Sequence, residues 1–348
     1  AGMAYADWPN SGGYFLLFLP FEIWFSSWDF FIEHKHRILG TLVGCLAIMT
    51  LIANYRARAD LNTLWLSGGI LAAVIAQGVL GGLRVLLDAR LVAMLHGCTG
   101  PLVFMLTALL WERMAWGQSG AANIANLPLA QPRSYAKLWL SAMMATLATY
   151  GQLVLGALLR HGAELNWLHP QQLRIIAVFH VLGAAVVLIA TLAVAYQAIL
   201  RFPRSSGLPR LGWFISGLVV LQISLGVLTW LWNYGWPWGV EALLGYFPTS
   251  WLPVTLQARD WRQVIVTTGH VAGGSLLLAL SGILVAKSGR LVTRAQQSGH
   301  SALNQTAATD INHSPSADHA STHPEFSLTT GVSPTSTHTA TPLLTGAA

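Results

Sequence analysis

Seven apolar blocks, each about as long as a bilayer is thick, govern what this chain can fold into: residues 37–55, 64–87, 92–111, 138–159, 173–200, 211–232 and 264–286. About twenty apolar residues cross a hydrocarbon core as a helix. Only helices and closed barrels keep every backbone polar group bonded there. The expected fold class is an all-α, multi-pass membrane helical bundle with seven spans. Composition agrees, with 54% hydrophobic and only 9% charged residues, against roughly a quarter charged in soluble proteins. The formal charge of +6 sits at helix ends rather than on a soluble basic face, which sets nucleic-acid binding aside.

Charge orients the spans. With Glu33 outside, the inner connections carry eleven basic residues and the outer ones eight, in agreement with the positive-inside rule. The chain then divides into an outer interfacial loop (1–36), an N-terminal half-bundle (37–112), an inner linker (113–137), a C-terminal half-bundle (138–290) and a disordered tail (291–348). The first segment is rich in Trp and Phe and broken by Pro and Gly, as interfacial sequence is. The connection 235–260 reads as an outer cap with one short helix around 240–246. From about Gln297 onward Ser, Thr, Ala, Pro and His dominate and periodicity vanishes. The tail histidines (His300, His313, His319, His323, His338) read as solvated. Cys45 and Cys98 both fall inside apolar blocks and read as buried, inert thiols.

The blocks repeat. Q-x-x-L-G-x-L stands at 77–83 in the second span, 152–158 in the fourth and 222–228 in the sixth. His96, with Gly100, in the third span matches His270, with Gly274, in the seventh. His36, with Gly40, in the first resembles His180, with Gly183, in the fifth. Spans one to three thus repeat as five to seven, and the expected partner of span four is a helix preceding Ala1. An eight-helix protein of two four-helix halves is implied, the halves facing each other about an axis along the membrane normal.

Two histidine pairs result, His36 with His96 and His180 with His270. All four lie within roughly 12 Å of the outer surface by helical rise. Each could simply bond a neighbouring helix. Four at one depth, two per repeat, point instead to ligation. Zinc wants a more compact set of ligands, whereas iron porphyrin wants two facing imidazoles. The glycines Gly81, Gly82, Gly97, Gly100, Gly183, Gly273 and Gly274 supply thin walls for such a slot. Arg37, Arg84, Arg90, Arg160, Arg174 and Arg262 are the cations available for propionates, or for snorkelling at the interface. The halves differ at one point. Glu33 stands one helical turn before His36, and Ala177 takes that place before His180. Glu33 either does chemistry in one pocket or pairs with Arg37 or Lys35.

At these residues the chain resembles the haem A synthase family. The marks are E-x-x-H-R at Glu33, His36 and Arg37, Q-x-x-L-G-G at 77–82, the four histidines, and the DWP at Asp7, Trp8 and Pro9. The resemblance covers about residues 1–290. It implies an eight-helix membrane enzyme, lacking its first helix here, that oxidises the C8 methyl of haem O to the formyl of haem A for terminal oxidases. It further implies haem b as cofactor on His180 and His270, haem O as substrate on His36 and His96, and Glu33 as the acid/base or charge-stabilising carboxylate. A cell (inner) membrane location follows, with the pockets toward the outer side and the tail cytoplasmic. Haem O synthase and an electron-transfer protein are the implied partners. Many members carry a cysteine pair in an outer loop. Here Ser11 stands near one such position, and 162–170 has no cysteine. A quinol-linked di-haem cytochrome and a haem-handling transporter or chaperone remain as alternatives.

Overall fold

The computed structural model describes residues 7–115, 132–162, 169–234 and 261–312. Seven long helices account for most of them: α1 (Trp28–Arg56), α2 (Leu61–Leu86), α3 (Arg90–Ala115), α4 (Pro132–Gly162), α5 (Pro170–Arg201), α6 (Leu208–Tyr234) and α7 (Trp261–Asn312). Among the described residues there is no strand, and all seven helices are long and apolar enough to cross a membrane. The protein is a multi-pass, all-α membrane bundle. The short helix expected around 240–246 and residues 116–131 of the expected linker lie outside the described residues.

Contacts divide the chain into Ala1–His300 and Ser301–Ala348. In the first unit the helices turn their large apolar side chains outward. On α1, Leu39, Leu42, Val43, Leu46 and Met49 are all exposed. In lipid this is the favourable arrangement, because hydrocarbon competes with a helix neighbour for apolar contact. Small and polar residues face inward instead. Asn54 Nδ2 of α1 donates to Ser67 Oγ of α2 at 2.8 Å, and Ser67 Oγ donates back to the Thr63 carbonyl at 2.7 Å.

Two helices depart from expectation. The first span begins at Trp28 rather than Arg37, so residues 28–36 are helix and not loop. Ser27 explains it: its Oγ accepts from Phe30 N at 3.2 Å, and Asp29 lies in the first turn, the usual N-terminal signals. Glu33 and His36 therefore stand on helix, not at its edge. At the other end α7 continues through 291–312, where a tail was expected. Leu291 and Ala295 are buried at 3% and 4% exposure, so packing of an apolar stripe carries the helix past its polar composition.

α7 is the packing centre. Its membrane window is 44% buried, against 11–22% in the others. A Cβ on Gly282 would meet the Met105 side chain of α3 at 3.0 Å, and one on Gly274 would meet Leu153 of α4 at 3.0 Å. The buried apolar cluster is drawn from α4–α7 and the turn at Phe202. In the N-terminal half, α1 packs on α2 and α2 on α3.

Asp60 ties the lower end of α2. Its carboxylate accepts from Asn62 N at 3.1 Å and from Thr63 Oγ1 at 2.6 Å, and Arg113 Nη2 of α3 reaches it at 2.5 Å. The Thr63 hydroxyl first, and Arg113 second, pull its pKa down to about 2.

Candidate functional site

The histidines pair as the repeat requires. His36 of α1 and His96 of α3 have ring centres 6.1 Å apart at 84°. His180 of α5 and His270 of α7 have ring centres 6.4 Å apart at 79°. A metal–imidazole bond of about 2 Å on each side of one ion sets ring centres about 6 Å apart. The separation of each pair is therefore the one that two imidazoles on a single iron require.

The repeated Q-x-x-L-G motif has a role that spacing alone did not reveal. Its glycine faces the next helix's histidine. A Cβ at Gly81 would come 3.3 Å from His96 Cε1, one at Gly156 3.1 Å from His180 Cε1, and one at Gly226 2.9 Å from His270 Cε1. The glutamine holds the backbone beside that ring. Gln152 Nε2 donates to the His180 carbonyl at 2.5 Å and lies 3.1 Å from its Nδ1. Gln222 Nε2 donates to the His270 carbonyl at 2.8 Å. The Gln222 carbonyl in turn lies 3.2 Å from His270 Nδ1, which leaves Nε2 for a metal. Gly183 and Gly273, read as slot walls, instead make room for these amides: a Cβ there would meet Gln152 Oε1 and Gln222 Oε1. In the third pair Thr99 replaces that glycine, and Gln77 Nε2 donates to its Oγ1 at 2.5 Å. The Gln77 carbonyl neighbours the His96 ring without closing a full hydrogen bond to Nδ1.

Among the described residues, charge gathers at the first pair only. Glu33 is 3% exposed, and Arg37 Nη2 donates to its Oε1 at 2.7 Å. Arg37 Nη1 bonds Asp7 Oδ1 at 3.0 Å and also the Asn10 carbonyl. Arg37 is thus committed to the protein rather than free for a propionate, and Glu33 takes the ion pair that was its alternative reading. Arg84 of α2 is different. It acts electrostatically on His36, His96 and Glu33, and its buried Nε has no partner among the described residues. A buried guanidinium donor left unpaired is costly, and an anionic substrate group would satisfy it.

The DWP stretch closes this site. Asp7 holds Arg37 on one side, while the Trp8 ring lies on Gly82 on the other. A Cβ at Gly82 would come within 2.5–2.8 Å of that ring. Gly82 has Ala157 and Val227 as counterparts in the other two motifs, so the second glycine is there for Trp8. Ser11 also contributes, its Oγ lying 2.9 Å from Nδ1 of the buried His34. Asp7, Trp8, Ser11 and His34 were not singled out as site residues. The only signal for them was the DWP itself.

The remaining arginines are more distant. Arg90 pairs with Asp88 at 3.8 Å, both well exposed. Arg174 is exposed, and Arg262 lies over the Trp261 ring at 5.5 Å. Among the described residues no three His, Cys, Asp or Glu side chains form a compact metal set, and both cysteines are free.

Comparison with known proteins gives a family match over the first half. No curated protein and no solved structure matches the chain. Residues 3–169, a little under half of it, match the COX15-CtaA family model, described as cytochrome oxidase assembly protein. That stretch contains Asp7, Trp8, Glu33, His36, Gln77, Arg84 and His96, and over it the chain is similar to the COX15-CtaA family of cytochrome oxidase assembly proteins.

Proposed function

We propose that the chain acts in cytochrome oxidase assembly as a haem A synthase, an oxidoreductase converting the C8 methyl of haem O to a formyl group. The observation that carries this reading is the asymmetry of two otherwise like pockets. Both have histidine pairs at iron-spanning separation, and among the described residues one alone adds a buried carboxylate, a fixed arginine and an arginine whose buried Nε is unpaired. His180 and His270 lie beyond the family match, and the shared Gln–Gly–His interlock ties them to it.

His36 and His96 hold the substrate iron, and Arg84 offers its unpaired donor to a propionate. Forming –CHO from –CH3 breaks two C–H bonds, takes one oxygen atom from water and passes four electrons to an external acceptor (R–CH3 + H2O → R–CHO + 4 H+ + 4 e–), which places positive charge and protons beside the ring. Glu33, in a site of low dielectric, stabilises that charge or takes up a proton. Arg37, clamped by Asp7, holds Glu33 in position through their 2.7 Å ion pair. In the second pocket His180 and His270 would hold haem b, whose chemistry when bound is one-electron transfer. We place the protein in the cell (inner) membrane, pockets outward and tail cytoplasmic, on the charge bias of its connections. Haem O synthase and an electron-transfer protein would be its partners.

A quinol-linked di-haem cytochrome needs the same four histidines, and the similar separations suit two resident haems. It gives Glu33 and Arg84 no task. Pigment extraction from the purified protein, expressed in a host supplying haem O, separates the readings. Haem A together with haem B is expected. Haem B alone, in two equivalents, would support the cytochrome.

A further inference from the structure

About twenty residues beyond His270, α7 carries a second cluster that the histidine pockets do not use. At 1.5 Å per residue that is about 30 Å along the helix, one hydrocarbon thickness, so the cluster lies near the opposite membrane surface. Lys287 Nζ stands 3.3 Å from Glu112 Oε1 of α3, and Arg290 Nη2 pairs with Glu112 Oε2. The Glu112 side chain is only 4% exposed. One buried carboxylate therefore serves two cations. Arg294, one turn on from Arg290, has no partner among the described residues, so positive charge is in excess here.

That excess lines a groove of about 560 Å³ between α4 and α7. Val285 and Ala286 form its apolar end, nearer the histidines. Arg290, Thr293, Arg294 and Gln297 form its polar end, on adjacent i, i+4 stripes of one helix face. Gly289 sets the width: a Cβ there would come 3.2 Å from Trp139 Cδ1, so the bare backbone lets the indole stand as the side wall. An apolar end at bilayer depth, an interfacial tryptophan and arginines at the polar end suit a phosphate ester that carries acyl chains.

We propose that this groove binds the phosphodiester headgroup of an anionic phospholipid, with Arg294 and Arg290 on the phosphate and the acyl chains along Val285 and Ala286. Basic pockets between helices near a membrane surface recognise such headgroups. The site is independent of the haem reading.

The test uses the full chain in phosphatidylcholine nanodiscs with and without phosphatidylglycerol, bound lipid being counted by native mass spectrometry. Phosphatidylglycerol should be retained preferentially. Arg294→Gln should lower that retention about fivefold and Arg294→Lys much less, with haem content unchanged in both. Should Arg294→Gln extract poorly, Gln297→Glu, at an exposed position in the same groove, should give the same loss by repulsion. Retention by Arg294→Gln and Gln297→Glu equal to the parent's would overturn the proposal. So would displacement of the lipid by millimolar inorganic phosphate, which would make this a site for a soluble anion.

Discussion

The two halves of the bundle build their histidine pairs with the same device and surround them with different chemistry. In both, a Q-x-x-L-G helix presses its glycine to the histidine ring of the following helix. Around His180 the interacting side chains are His270 and Gln152, without formal charge. Around His36 the neighbours include Arg84, His96 and Arg37, with Glu33 one turn away. The C-terminal half also holds the contiguous apolar cluster. A site without formal charge suits a permanently held group. A charged one suits a group that must react. The same scaffold serves both because the scaffold only places imidazoles.

The largest effect expected from breaking this comparison is at the C-terminal pair. His180→Ala or His270→Ala should abolish the tightly held low-spin haem signal in the absorption spectrum. His36→Ala should spare it. A full bis-imidazole signal surviving in either C-terminal variant would reverse the assignment of the halves.

Glu33→Gln comes next. It removes the charge that distinguishes the pockets while keeping size and hydrogen bonding. Loss of one preorganised group commonly costs about a hundredfold in rate, so haem O or a partly oxidised product should accumulate with haem content kept. Production of haem A at the parental rate would leave Glu33 as the ion-pair partner of Arg37 only.

A smaller effect probes the shared device. Alanine at Gly226, Gly156 and Gly81 brings a Cβ to 2.9, 3.1 and 3.3 Å of the respective rings. Overpacking of this kind costs about 1–3 kcal/mol. Haem retention should fall most for Gly226→Ala and least for Gly81→Ala. The reverse order would mean that the rings yield easily and that the glycines serve helix approach instead.

The smallest effect concerns Asp60, at the opposite end of the N-terminal half. Its pKa of about 2 lies below the ordinary carboxylate value of 3.8. The stability it lends is therefore complete above the ordinary value and lost as pH falls through about 2. Thermal unfolding followed from pH 5 to pH 2 should show an acid decline that Asp60→Asn lacks. Parallel curves for the two proteins would show that the cap contributes nothing measurable.

Hydropathy, the histidine repeat and the lone Glu33 were legible without coordinates, because each depends on composition or period along one helix. Membrane spans declare themselves by length, and repeats by self-similarity. Helix ends were less so: Ser27 started α1 nine residues early, and a buried stripe at Leu291 and Ala295 extended α7 into polar sequence.

What only the tertiary structure decided is who faces whom. Arg37 and Arg84 look alike in sequence, yet one is clamped between Asp7 and Glu33 and the other keeps a free donor. The two glycines of Q-x-x-L-G-G are neighbours in the chain, yet one faces His96 and the other Trp8. Adjacent residues on a helix point about 100° apart, so their partners belong to different elements. Sequence determined which groups this protein could bring to the two histidine pairs, and packing across helices determined which of them it leaves free to act.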